Sequence, residues 1–363
     1  MAPAMRFRAS DLRRFGERAL GAIDVPSQAA ALVAESLVQA DLRGVSTHGV
    51  VRLPSYCDEV GEGIVDARAR PAVVADHGGA AVLVEGAHAF GAVTATLCLD
   101  LAVQRALRFG VGAVSARHCA HFGAAAHYAL RAAGRGCVAL VASNTPAVMA
   151  PYGGAEPAIG NNPFAVAAPT PPGRPPFVLD MAQSVVARGR IKLAEMAGRT
   201  IPEGWAVDQE GCATTEPTAA LAGALLAFGG YKGSGLALVV EILTSVLAGS
   251  ILGPEMINTS MTGAVVPRQG AKVGSPSQLF LVLDPEAFAG REAFADGIGR
   301  LADAITGVAP APGFDEILLP GDLEHRAAIE AEQAGVPLAA TTVQLLSGLA
   351  GSLSVPMPEP LGA

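Results

Sequence analysis

Aromatic residues make up only 5% of this 363-residue chain, and charged residues only 16%. So few rings leave little platform on which exposed bases could stack. The charges present sum to −8, from 25 Lys plus Arg against 33 Asp plus Glu. The chain therefore lacks the cationic footprint that a polyphosphate backbone demands, and nucleic acid is not an expected partner. Paired cysteines are also missing. Cys57, Cys98, Cys119, Cys137 and Cys212 are dispersed with no C-x-x-C, the pattern of reduced thiols in a cytoplasmic protein. The first twenty residues are broken by Arg6, Arg8, Asp11, Arg13 and Arg14, so no signal-peptide core is expected there. The longest apolar run, Leu236 to Ala248, is interrupted by Glu241 and falls short of the roughly 20 residues a membrane span needs.

What is abundant is apolar and turn-forming material: 51% hydrophobic residues, 43 Gly and 26 Pro. That composition builds a packed core, and the length suits two domains or one large interwoven one. Helical spacing of Leu12, Phe15, Ala19 and Leu20 predicts a helix over Ser10 to Ala22. A second helix is expected to start after Pro26-Ser27 and to end at Gly44. From about Pro71 the period changes. Short apolar runs at Ala80–Val84, Val111–Ala116, Cys137–Ala142, Phe164–Ala168, Phe177–Asp180 and Leu279–Asp284 read as buried strands. Helical stretches lie between them at Thr94–Arg108, Ala124–Ala133 and Leu236–Ala248, and the chain is helical again after Pro285. Strands alternating with helices predict an α/β sheet covered by helices.

The usual nucleotide loops are absent. Gly110-Val111-Gly112 is the nearest approach to G-x-G-x-x-G, but Ser115 stands in place of the third glycine and the pair precedes a strand. The glycines around Lys232 have the wrong spacing for a P-loop. That segment is either a tight turn with a solvated lysine or a seat for an anion at the start of a helix. Among seven histidines, His118, His121 and His127 cluster, which raises a metal-dependent hydrolase as an alternative. Cys119 and Gly123 interrupt any shared ligand face, so no metal is expected. His48 lies in Ser46-Thr47-His48-Gly49 with Arg52 four positions on. An imidazole can exchange protons near neutral pH, and a guanidinium can grip a carboxylate with two hydrogen bonds. The plainer reading is a capped loop with a surface histidine and arginine.

Seven segments, residues 40–56, 121–136, 150–169, 177–191, 201–211, 228–243 and 318–338, together resemble the malate/L-lactate dehydrogenase family of non-Rossmann oxidoreductases. The resemblance covers Ala40 to Leu338 and implies a mixed central sheet with helices, plus helical N- and C-terminal parts. Three regions are then expected: residues 1–70 with the catalytic loop, 71–299 binding cofactor and substrate, and 300–363 packing back on the N-terminal part. The resemblance implies NAD or NADP as cofactor and hydride transfer at C2 of a small 2-oxo, 2-hydroxy or cyclic 2-imino acid. A ureidoglycolate or 2,3-diketogulonate-type dehydrogenase is the alternative within the family. By the same resemblance His48 is the proton donor, Thr47 and Asp180 form a relay with it, and Arg52, beside Ser46, fixes the substrate carboxylate. His121 is implied as a second acid/base or pocket residue. Ser143, Asp180, Met181, Ala182, Lys232, Gly233, Gly321 and Asp322 are implied cofactor contacts. The family commonly has Ser where Thr47 stands, Glu where Asp322 stands, and His in the segment that here contains Gln278. A homodimer is implied on the same ground.

Overall fold

The computed structural model describes residues 4–257, 272–273 and 275–362. In chain order these are β1 (Met5–Phe7), α1 (Ala9–Gly21), α2 (Ser27–Leu42), α3 (Leu53–Gly61), β2 (Ala72–Asp76) and β3 (Ala81–Glu85). Then come α4 (Gly91–Phe109), β4 (Val111–Arg117), α5 (Ala125–Ala133), β5 (Val138–Ser143), β6 (Phe164–Ala168) and β7 (Phe177–Met181). A smaller lobe holds α6 (Arg188–Met196), β8 (Ala206–Val207), α7 (Pro217–Ala222), β9 (Ala224–Leu225) and α8 (Tyr231–Glu241). The rest is β10 (Met256–Ile257), β11 (Lys272–Val273), β12 (Gln278–Leu283), α9 (Arg291–Thr306), α10 (Asp322–Ala334), β13 (Val336–Leu338) and α11 (Ala340–Leu353).

Seven strands form the central sheet in the order β2-β3-β4-β12-β5-β6-β7. It is mixed: β3 and β4 run parallel across the α4 crossover, and the other neighbours are antiparallel. β12, late in the chain, inserts between β4 and β5, pairing Phe280 with Val114 and with Val141. The sheet and the helices α4 and α5 share one core, which includes Val84, Leu99, Tyr128, Val141 and Phe280. Close packing of α4 on β4 requires Gly112, since a Cβ there would lie 2.0 Å from the Ala102 carbonyl oxygen.

A second core joins the two ends of the chain. Leu12, Phe15, Ala19 and Leu20 of α1 are buried together with Val33 and Leu37 of α2 and with Leu346 of α11. β1 pairs antiparallel with β13, placing Phe7 opposite Val336. Three findings depart from the sequence reading. β13 interrupts the helical stretch expected after Pro285. β2 went unread because it is an edge strand with Val73 and Val74 exposed, so it carries no buried run. The stretch starting at Leu236 belongs to a helix that begins at Tyr231 and widens into a π turn at Ile242–Val246.

Candidate active site

The loop after α2 folds into two 3-10 turns, Ser46–His48 and Val50–Arg52, separated by Gly49 and running directly into α3. Asp41, near the end of α2 and only 5% exposed, holds this corner. Its Oδ2 accepts a 2.7 Å hydrogen bond from the Val50 N–H. Gly49 is needed there, because a Cβ would sit 1.9 Å from Asp41 Oδ1. Burial pushes the Asp41 carboxyl up to about 7.

The loop locks its polar groups to one another. Thr47 Oγ1 lies 3.0 Å from His48 Nδ1. Arg52 Nε donates to the Thr47 carbonyl at 2.9 Å. With Nε committed, the two terminal nitrogens of Arg52 remain as a fork for an anion. His48, Thr47 and Arg52 all line a cavity of about 1000 Å³. The surrounding protein and the Arg52 charge lower the His48 pKa to about 4.

His121 stands beside His48, with ring centroids 5.5 Å apart and planes 24° from parallel. Tyr56 Oη lies 2.6 Å from its Nδ1, and the Gly123 N–H donates to the same nitrogen at 3.4 Å. A nitrogen receiving an amide N–H carries no proton, so the neutral ring holds its proton on Nε2. Burial, aided by Arg52 and His48, keeps the His121 pKa well below the ordinary imidazole value.

The facing wall comes from distant parts of the chain. Ser143 ends β5, Asp180 and Met181 end β7, Ala182 follows, and the turn at Leu318–Gly321 closes over them; all line the cavity. Asp180 Oδ2 accepts the Ala126 N–H at 2.9 Å. Its carboxyl is exposed to the cavity's solvent on one side, while the protein around it raises its pKa to about 6. Among the described residues it makes no hydrogen bond to Thr47 or His48. Of the contacts a Thr47–His48–Asp180 relay would need, the structure has the one between Thr47 and His48, with Asp180 lining the same cavity.

Other expected contacts fall outside. Ser46 is exposed and does not line the cavity. Asp322 turns its Oδ2 to the Leu319 N–H at 2.8 Å and so shapes the turn, while the neighbouring Gly321, at φ +97°, reaches the cavity. Lys232 and Gly233 do not line it either. Gly233 serves packing, since its Cβ would meet the Phe228 carbonyl oxygen at 2.2 Å. Gln278 is buried in β12, donating to the Ala120 carbonyl at 3.3 Å.

The three clustered histidines are engaged separately. His118 Nδ1 bonds Glu85, His121 bonds Tyr56, and His127 packs edge-on against Tyr128. Among the described residues no three His, Cys, Asp or Glu side chains converge as a metal site. Asp41, Tyr56, Glu59 and Arg43 were missed from sequence. For Glu59 a signal existed: Arg52, Ser55 and Glu59 are spaced three and four apart, one face of a helix.

Comparison with known proteins decides the ancestry of this arrangement. The malate/L-lactate dehydrogenase family profile matches residues 7–347. The chain belongs to that family. It is 36% identical over 315 residues to the L-sulfolactate dehydrogenase of Methanocaldococcus jannaschii, covering 87% of this chain and 86% of the relative. It is 34% identical to the Δ1-pyrroline-2-carboxylate/Δ1-piperideine-2-carboxylate reductase of Pseudomonas syringae pv. tomato, over 89% and 90% of the two chains. The structure of malate dehydrogenase from Pyrococcus horikoshii superposes with a TM-score of 0.87 at 32% identity, covering 98% of this chain and 97% of that one. The protein is an oxidoreductase of this family, with the family's mixed α/β fold.

Proposed function

We propose that the protein is an NAD(P)-dependent oxidoreductase acting at C2 of a small 2-oxo/2-hydroxy acid or cyclic 2-imino acid. The observation that carries this reading is the Thr47–His48–Arg52 lock, which turns a proton carrier and a carboxylate fork into one cavity. The names of its relatives, dehydrogenases of malate and sulfolactate and reductases of cyclic imino acids, agree with it.

The cavity suits a dinucleotide by its donor set. Arg43, Arg52 and Arg188 are among its lining residues, offset by Glu59, Asp180 and Glu324, so the cavity offers arginine donors for a diphosphate and a substrate carboxylate without a net cationic surplus. When bound, a reduced nicotinamide supplies the hydride. The chain's own residues do the rest. Arg52 orients the carboxylate with its terminal nitrogens. His48, steadied at Nδ1 by Thr47, delivers a proton to the oxygen or nitrogen on C2. A bound carboxylate also cancels part of the Arg52 charge that depresses His48, so substrate binding raises the histidine's proton affinity. His121, neutral with its proton on Nε2, is a hydrogen-bond donor beside it.

Two further features fit the setting. Leu236, Val239, Ile242, Val246 and Leu247 are exposed along α8 and the π turn that follows, an apolar face that supports a homodimer. Cys57, Cys98, Cys119 and Cys137 are buried free thiols, which supports a reducing, cytoplasmic compartment. No helix among the described residues is long and apolar enough to cross a membrane.

The test is oxidation of NADH and NADPH with pyruvate, oxaloacetate, sulfopyruvate, pyruvate plus methylamine, and the cyclic imino acids, with ureidoglycolate oxidation as the competing arm. Turnover of at least one 2-oxo or 2-imino carboxylate is expected. Turnover of ureidoglycolate alone moves the reading to the alternative branch of the family, and turnover of nothing in the panel refutes the proposal.

A further inference from the structure

One buried acid in the cavity has no part in the proton transfer or the carboxylate grip. Glu59 is only 9% exposed, yet it lines the same cavity as Arg52 and Ser55. The three sit on one face at the start and along α3. At about 1.5 Å of rise per residue, Glu59 lies roughly 10 Å beyond Arg52 along that face. Its backbone is pinned, for its carbonyl accepts the N–H groups of Ile64 at 2.9 Å and Val65 at 3.0 Å. Its carboxylate accepts no hydrogen bond and joins no ion pair among the described residues. Arg52 is the cation whose field reaches it, and Glu62 and Asp58 are the acids whose fields do so.

A carboxylate in a residue only 9% exposed, with no protein partner among the described residues, is poorly hydrated and costly to keep charged. A group held this way on a rigid helix, opening into a binding cavity, has the hallmark of a ligand contact awaiting its donor. The position fits a division of labour along α3: the fork of Arg52 takes the substrate's C1 carboxylate, and the acid further on meets the far end of the same molecule.

Resting on the function proposed above, we infer that Glu59 is a specificity residue that selects 2-oxo or 2-imino acids with a single carboxylate and a hydrogen-bond-donating or cationic tail, and rejects those with a second anionic group. A second carboxylate or a sulfonate would face Glu59 across a poorly hydrated gap, where like charges repel strongly. An amide or ammonium would instead satisfy it. Burial pushes the Glu59 carboxyl up to about 7, so the discrimination is read at pH 8, where it is ionised.

The experiment compares near-isosteric substrate pairs, oxaloacetate against 2-oxosuccinamate and 2-oxoglutarate against 2-oxoglutaramate, by kcat/KM at pH 8. The unaltered enzyme is expected to favour the amide of each pair by about tenfold or more. Glu59→Gln, which keeps the side-chain shape, is expected to bring the ratio to within about threefold, chiefly by improving the diacid. A diacid preferred by the unaltered enzyme overturns the inference even if the variant does not fold. So does a Glu59→Gln enzyme in which both members of each pair change by the same factor, the mark of a purely structural role. Failure of every 2-oxo and 2-imino acid would instead overturn the parent proposal, so the two failures are distinguishable.

Discussion

The two walls of the cavity are built in opposite ways. The His48 wall is one continuous stretch, from Asp41 at the end of α2 to Glu59 in α3, whose loop is held by bonds between residues at most nine apart and tied to the rest by the Tyr56–His121 contact. The Asp180 wall is assembled from the ends of β5 and β7 and the turn before α10, brought together by strand pairing and by hydrogen bonds such as Val178 N–H to the Pro320 carbonyl. A local wall can be stiffened by its own sequence and so suits a group that must be aimed, such as the proposed proton carrier. A composite wall follows the sheet and offers backbone and small side chains over a long span, which suits a large cofactor.

If this contrast is right, damage to the local wall stops chemistry and damage to the composite wall weakens nucleotide binding. The largest effect is expected for His48→Ala: kcat falls about a thousandfold, within the usual range for a general acid, while the Kd of the reduced nucleotide, read by fluorescence titration, moves less than about twofold. Equal loss of both would break the comparison. Arg52→Ala comes next, with kcat/KM falling about a hundredfold, mostly through KM, as expected when a charged clamp is lost. Arg52→Lys should recover only part of it, since an ammonium lacks the fork.

The pH profile sharpens the same point. Burial and the Arg52 charge lower the His48 pKa to about 4, and the proposed donor role in reduction needs the ring protonated. The kcat/KM for reduction should therefore fall as pH rises above that value, by about tenfold per unit. Oxidation needs the neutral ring and should level off above about pH 5. A reduction profile flat from pH 5 to 8 would remove His48 as the donor. The smallest effect is expected across the cavity: Asp180→Asn keeps an acceptor for the Ala126 N–H and should raise the nucleotide KM only about threefold, with kcat little changed.

The same contrast explains what the sequence could disclose. The closeness of His48 and Arg52 in one loop was legible because their partners lie within a few positions. Strands such as β4 and β6 were legible because Gly, Pro or Asp bounds each apolar run. Asp180, Met181 and Gly321 were reachable only through family resemblance, because nothing near them in sequence tells which strand ends will meet. At Lys232 the local signal stays two-sided: Gly233 admits the Phe228 carbonyl, and the lysine stands exposed at a helix start that is not part of the cavity lining. Glu59 was overlooked as one acid among several in a helix whose Asp58 neighbour is an ordinary exposed one.

The most direct measurement is a crystal structure of the protein with a nicotinamide dinucleotide and oxamate, an unreactive 2-oxo acid mimic. The account predicts the oxamate carboxylate on the terminal nitrogens of Arg52, its other carbonyl oxygen within hydrogen-bond reach of His48, and the nicotinamide against the Asp180–Ala182 wall. Oxamate bound away from Arg52, or a nicotinamide seated outside this cavity, would contradict it.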